Sequence, residues 1–321
     1  MRAVVTGATG YLGRHLAAAL QRQGWQVVRC VRSHAAGAEP GTCLLPDLDQ
    51  RSVAALPLEC DAVFHLAGLA HRYPPNAPTP QEFMRVNAEG TGVLARAARG
   101  KARALVLVSS VAAVASSSTT PLTPSTPPQP ETPYGQSKLR AEALAHDALA
   151  GSTTSLRVVR LPAVHGPGAP GAVGQLARWI GRGRPVPSCA ATVRRSMIGV
   201  DNAISALICA ATHPALAGCT LMPADGPAPT LLEAAQAIAR AQGRTVRVVP
   251  VPAAALHLLA RMLSLAPGGG VRGTQAIQRL VQSCAVQDDQ LQRLAGWQPP
   301  CTADQSIQCT VAAQQAAEVR A

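Results

Sequence analysis

Aromatic residues and lysines are scarce in this chain. Its 321 residues include two phenylalanines, three tyrosines and three tryptophans, and lysine stands only at positions 101 and 138. So few rings make a poor platform for stacking nucleic-acid bases. The formal charge of +12 rests on arginines spread along the sequence, whereas a nucleic-acid footprint gathers them into a patch. The surplus is better suited to drawing in an anionic, phosphate-bearing small molecule. No long apolar run is present either: the greasiest stretch, residues 249–266, is broken by Pro250, Pro252, His257 and Arg261, short of a bilayer span. Neither a membrane nor a nucleic acid is expected as partner. Met1-Arg2-Ala3-Val4-Val5-Thr6-Gly7 enters a strand and turn without the apolar core of a signal peptide, and the expected location is cytoplasmic. Nine cysteines occur with no C-x-x-C pair and no histidine cluster beside them, so they read as reduced, mostly buried thiols, and no metal site is expected.

What is present is a rhythm. Apolar, β-branched runs at 3–6, 26–31, 62–66, 104–108 and 156–161 alternate with helical patterns, the first of them set by Leu12, Leu16 and Leu20 and stopped near Gly24. Residues 82–99 and 135–149 predict two more helices, the latter with Lys138, Glu142 and His146 on one side. The Ser/Thr/Pro-rich stretch 116–130 interrupts the rhythm without ending it and reads as a long loop inside the domain. The fold class is α/β, a Rossmann-type doubly wound parallel sheet with a smaller C-terminal substrate-binding domain. The expected division is a dinucleotide-binding domain over 1–165, with contributions from about 195–220, and a substrate domain over 166–194 and 221–321.

Directly after the first strand comes Thr6-Gly7-Ala8-Thr9-Gly10-Tyr11-Leu12-Gly13, a G-x-x-G-x-x-G opening a helix. Gly7 permits the tight turn, Gly10 a close approach of backbone to a pyrophosphate, and Gly13 close packing of helix on strand, while the turn around Thr9, Tyr11 and Leu12 supplies helix N-terminal amides for the anion. Dinucleotide binding follows. An acidic residue ending the second strand would bind the 2′-hydroxyl of the adenosine ribose. This chain has Arg32 and Ser33 there, which favours a 2′-phosphate and hence NADP(H), with NAD(H) as the alternative.

Tyr134 and Lys138 stand four apart, on one helix face. Three tyrosines and two lysines would meet at this spacing by chance in about one such chain in fifty. A phenol ordinarily titrates near 10, and a neighbouring ammonium favours its ionised form. The pair can relay a proton to or from a carbinol oxygen while hydride moves to or from a nicotinamide. The fourth strand ends in Ser109-Ser110, at the edge where such sheets bind ligands. Ser110 is expected to hold the reacting oxygen, with Ser109 as its competitor.

These residues together resemble the extended short-chain dehydrogenase/reductase family, in its NAD-dependent epimerase/dehydratase branch. The resemblance implies further assignments. Asp47 and Leu48 would meet adenine; Leu66, Ala67 and Gly68, after His65, would lie under the cofactor, as would Ser109 and Pro162. Asn87 in Val86-Asn87-Ala88-Glu89-Gly90-Thr91 would be structural, and Arg160 to Gly168 would lead into the substrate domain. Arg195, in Arg195-Ser196-Met197-Ile198, would hold the diphosphate of a nucleotide-sugar, with Ser110 and Tyr134 on the sugar itself. Relatives that eliminate water carry an acidic pair after the active-site hydroxyl; Val111 and Ala112 stand there, which disfavours a dehydratase. Ala113, Val114 and Ala115 replace the usual tyrosine and glycine. Arg32 tips the reading to an NADPH-consuming reductase of a 4-keto sugar nucleotide. The alternatives are a 4-epimerase with retained NAD, a reductase of a non-sugar ketone, and an NADP-sensing binding protein. The closing Gly296-Trp297-Gln298-Pro299-Pro300 resembles surface-polysaccharide enzymes of this branch. Relatives pair as homodimers through the helices at 82–99 and 135–149.

Overall fold

The computed structural model of the chain describes residues 1–33, 40–70, 78–252 and 281–319, with 254–256, 258 and 262 between them. The remainder of the apolar stretch 249–266 lies outside the described residues.

Five strands carry the large sheet: β1 (Arg2–Thr6), β2 (Gln26–Val31), β4 (Ala62–His65), β5 (Ala104–Ser110) and β6 (Ser155–Leu161), all largely buried except β2, of which only Val27 and Cys30 are. Two short strands complete it, β3 (Thr42–Leu44) and β10 (Thr220–Leu221). All pairings are parallel, in the order β3-β2-β1-β4-β5-β6-β10. The fold is the expected Rossmann-type sheet.

Period-two alternation divides the core between the faces. Ala3, Val5, Phe64 and Val106 pack on one side with α1 (Tyr11–Arg22) and α7 (Val200–Thr212). Val4, Val63, Leu105 and Leu107 pack on the other, against α2 (Gln50–Ala54), α4 (Gly90–Ala98) and α5 (Pro133–Leu149). Phe64 is fully buried and meets Trp25 edge to face at 6.3 Å; each such side chain contributes about 1.5–3 kcal/mol by leaving water.

The expected single helix over 82–99 is three joined pieces: α3 (Pro80–Phe83), a π-helical segment (Met84–Glu89) and α4. Thr79 and Glu82 close a capping box at its start. Wider π turns occur where a side chain must be re-aimed, and Asn87 lies inside this one.

Beyond β6, sequence periodicity missed most of the elements: β7 (Ala163–His165), α6 (Ala172–Gly181), β8 (Val186–Pro187), β9 (Met197–Gly199), β11 (Val248–Val249), α9 (Gln290–Ala295) and α10 (Ala303–Val319). Helix α8 (Leu231–Ala241) starts from a capping box of Thr230 and Glu233. Helices α6, α8 and α10 close a separate apolar cluster around Ile180, Ile238 and Val311. The Ser/Thr/Pro stretch stays inside the fold. Leu122, 2 % exposed, packs with Val114, Met222, Cys284 and Val286, and backbone bonds of 2.8 Å join Ser118 to Ser283 and Leu122 to both Ala285 and Gln287.

Candidate active site

Strand order reverses at β1, so the crevice beyond the C-terminal ends of β1 and β4 is where a doubly wound sheet takes a ligand. Gly7 leaves β1 at φ +68°, and a Cβ on it would stand 2.7 Å from the Ala67 amide nitrogen. A Cβ on Gly13 would run into the Gly7 carbonyl oxygen. Gly10 caps α1 with no side chain, leaving the first-turn amides to an anion beside exposed Thr9. This cradle fits a dinucleotide pyrophosphate, because backbone lies where side chains would fill it. Leu12 is half-buried. The Tyr11 hydroxyl turns inward, with no hydrogen-bond partner among the described residues, and burial pushes it up to about 12. A Cβ on Gly166 would lie 2.6 Å from that oxygen.

Arg32 is exposed just past β2. Asp47 accepts from the Leu48 amide at 2.8 Å and from Arg85 at 2.7 Å, and the Arg85 bond holds its carboxyl below the usual range. Leu48 is buried against Gly90.

Helix α5 begins where Thr132 accepts from the Gly135 amide at 3.1 Å and Pro133 takes the first helical position. Gly135 is required at the start, since a Cβ would meet the Ala112 carbonyl oxygen. Tyr134 and Lys138 then share one face. The Tyr134 phenol bonds the Ser110 hydroxyl and stacks edge to face on Phe83 at 5.8 Å. Burial raises the phenol's pKa, opposed by the Ser110 bond. Lys138 Nζ donates to the Val108 carbonyl at 2.9 Å; burial pulls it down to about 8, opposed by Glu142. The expected lowering of the phenol is therefore not what this arrangement gives: burial dominates, and what opposes it is the Ser110 bond and not the Lys138 charge.

Alternation separates the two serines. Ser110 opens toward Tyr134, while Ser109 is buried and donates to Glu142 at 2.5 Å. Arg160 closes on Glu142 through contacts of 2.7, 3.1 and 3.2 Å, with both side chains 7 % exposed. Pro162 is buried just beyond β6.

A second buried polar chain braces the crevice floor. Thr91 donates to the Asn87 carbonyl at 2.6 Å, so it can only accept from His65 Nε2, at 2.9 Å. His65 Nδ1 must then accept from Thr6 at 2.7 Å, and Thr6 accepts from the Ala67 amide at 3.2 Å. Every hydrogen is placed and the imidazole is neutral; burial, with the Lys138 charge, pulls its pKa down to about 3. The Asn87 amide accepts from Leu69 N at 2.7 Å and donates to Leu69 O at 3.1 Å and to Ser137 Oγ at 3.0 Å. Ser137 donates to the Tyr134 carbonyl at 2.8 Å. A Cβ on exposed Gly68 would stand 2.8 Å from the Asn87 Oδ1. The sequence held these residues but no signal for their pairing, which depends on contacts across the sheet.

Arg195 lies outside this cluster. Its Nη1 donates to the Gln282 carbonyl at 2.9 Å and its backbone bridges Cys284.

The profile of the NAD dependent epimerase/dehydratase family matches residues 3–219. A UDP-glucose 4-epimerase of Vibrio cholerae is 25% identical over 97% of this chain and 94% of its own length. A ceramide reductase of Caulobacter vibrioides is 30% identical over 77% of this chain and 73% of its own. The human epimerase family protein SDR39U1, solved with NADPH, superposes with a TM-score of 0.77 at 25% identity, covering 97% of this chain and 99% of that one.

Proposed function

Since the chain belongs to the NAD dependent epimerase/dehydratase family of extended short-chain dehydrogenases/reductases and is an NAD(P)-dependent enzyme, we propose that it reduces the 4-keto group of a nucleotide-linked sugar with NADP(H). The observation that carries this reading is the Ser110–Tyr134 hydroxyl pair beside Lys138, with the phenol held in its protonated form by burial. Such a phenol is a proton donor first, as ketone reduction requires.

In this reading Gly7, Thr9, Gly10, Tyr11, Leu12 and Gly13 hold the pyrophosphate, Arg32 the 2′-phosphate, and Asp47 and Leu48 flank adenine. Leu66, Ala67, Gly68 and Pro162 line the nicotinamide side, with Asn87 as their brace, whereas Ser109, expected there from sequence, is turned into the core onto Glu142 by strand alternation. Bound nicotinamide supplies the hydride equivalent. Ser110 orients the carbonyl oxygen, Tyr134 delivers its proton to that oxygen as the alcohol forms, and Lys138 steadies the negative charge left on the phenol. Arg195, where the cofactor unit of 1–165 with 195–220 meets the substrate unit of 166–194 and 221–321, holds the diphosphate. The enzyme works in the cytoplasm, in surface-polysaccharide synthesis, as a homodimer paired through 82–99 and 135–149.

A second reading, a 4-epimerase that oxidises and re-reduces C4 on retained NAD, is favoured by the likeness to the Vibrio cholerae epimerase over nearly the whole chain. Mass spectrometry of small molecules released by denaturing the undialysed protein decides between them: an empty site or NADP(H) supports the reductase, and stoichiometric NAD the epimerase. Oxidation of NADPH by a UDP-4-keto-6-deoxy sugar, lost in Tyr134→Phe with cofactor binding intact, is the expected assay result. Turnover of a long-chain ketone with none of the sugar would overturn the proposed substrate.

A further inference from the structure

Two stretches of the chain, 148–200 and 234–287, hold seven and six arginines and no aspartate or glutamate. The fold brings part of both to the end of the small unit farthest along α6 and α8. The Gln242 side chain donates to the Ala177 carbonyl at 2.8 Å, which sets the C-terminus of α8 beside that of α6. Val186 donates to the Arg247 carbonyl at 2.8 Å, and β8 pairs with β11. Arg182 and Arg184, just past Trp179, and Arg244 and Arg247, just before Val248, are thereby brought to this one end. Arg184 lies 4.8 Å over the Trp179 ring. Among the described residues, no carboxylate lies within ion-pair distance of these four arginines.

The same end collects exposed apolar side chains. Helix α6 buries Val173, Ala177 and Ile180 and turns Trp179 outward. Trp179 is 43% exposed and Val248 47%. Arginines interleaved with a tryptophan and a valine, without counter-charge, match the interface of an anionic bilayer, where apolar side chains enter the headgroup boundary and guanidinium groups meet phosphates. A phosphodiester chain would answer the charge and leave the valine without a partner.

We propose that this end of the small unit seats the protein on an anionic phospholipid surface, peripherally and without crossing it. No helix among the described residues is long and apolar enough to span a membrane. The proposal goes beyond the assignment of the reaction and holds whichever ketone the enzyme takes.

The test is co-sedimentation of the full-length protein with vesicles of phosphatidylcholine alone or mixed with phosphatidylglycerol, at physiological salt. Binding is expected only to the mixed vesicles, falling as salt rises. Arg244→Ala/Arg247→Ala, at roughly five-fold per arginine, is expected to weaken it about twenty-fold or more, with cofactor binding and melting temperature unchanged. Trp179→Ser should weaken it further. Protein that stays in the supernatant with the mixed vesicles, binding indifferent to the arginine pair, or tighter binding to an RNA homopolymer than to the vesicles would each overturn the proposal.

Discussion

The buried Glu142–Arg160 pair invites the sharpest test of what holds the catalytic helix in place. Glu142 sits one turn beyond Lys138 on α5, and Arg160 is the last residue but one of β6; three contacts of 2.7–3.2 Å and the Ser109 hydroxyl at 2.5 Å meet on one carboxylate. Glu142→Ala leaves a guanidinium that is 7 % exposed with no counter-charge. Removing one partner of such a pair costs about 3–5 kcal/mol, whereas replacing both with apolar groups of similar volume is close to neutral. Thermal denaturation followed by circular dichroism should therefore show a fall of about 6–15 °C for Glu142→Ala, and a much smaller one for Glu142→Met/Arg160→Met. Activity adds a second readout. Glu142 is what opposes the burial of Lys138, so its loss lets the ammonium titrate below about 8, and the alkaline limb of the pH–rate profile should move to lower pH. The reasoning is refuted if the single variant melts within a degree or two of wild type, or if the double variant falls as far as the single.

The same geometry gives three further outcomes. Lys138, drawn down to about 8 by burial, loses its charge as pH rises through that value, while Tyr134 stays protonated; kcat/KM for reduction should hold below pH 8 and fall above it, and a limb unmoved in Lys138→Arg would assign it to another group. His65 is neutral in the fold with a pKa of about 3 against an ordinary 6.5, so the unfolded chain binds more protons between those values and stability declines as pH falls through the window, by about 5 kcal/mol at full extent. Urea melts of His65→Asn should start lower at pH 7 and decline less steeply toward pH 4; parallel curves would contradict the buried neutral imidazole. Arg32→Ala should weaken NADPH about 10–100-fold, the worth of a charge-assisted bond, with NADH little changed; titration showing equal losses would remove Arg32 from the 2′-phosphate.

How far the sequence could be read depends on the range of the interaction that decides each feature. The glycine turn, the five long strands and α5 are set by local backbone sterics and apolar spacing, and they stand where the pattern put them. Short elements such as β3, β10 and β8 have too few residues for a period and owe their place to pairing with partners more than ten residues away. The π-helical segment around Asn87 looks like ordinary helix in sequence, because its widening answers to Leu69 and Ser137. Tyr134 and Lys138 were legible from spacing. The direction of the Tyr134 pKa was not, since it depends on how much protein surrounds the ring. Ser109 and Ser110 were equivalent as letters, and strand alternation separated them.

That separation has a consequence for how this chain can vary. Successive side chains of β5 point to opposite faces, so Ser109 reaches Glu142 in the interior and Ser110 reaches the crevice. Deleting one residue within 104–108, or letting β5 slip one place against β4 and β6, exchanges the two: the reacting hydroxyl turns into the core and its neighbour is presented in its stead. Length changes in this part of the chain are thus confined to the connections on either side, around Gly100 and within 116–130, and the central strand acts as a ruler whose length is held even where the identity of its apolar residues is free to drift.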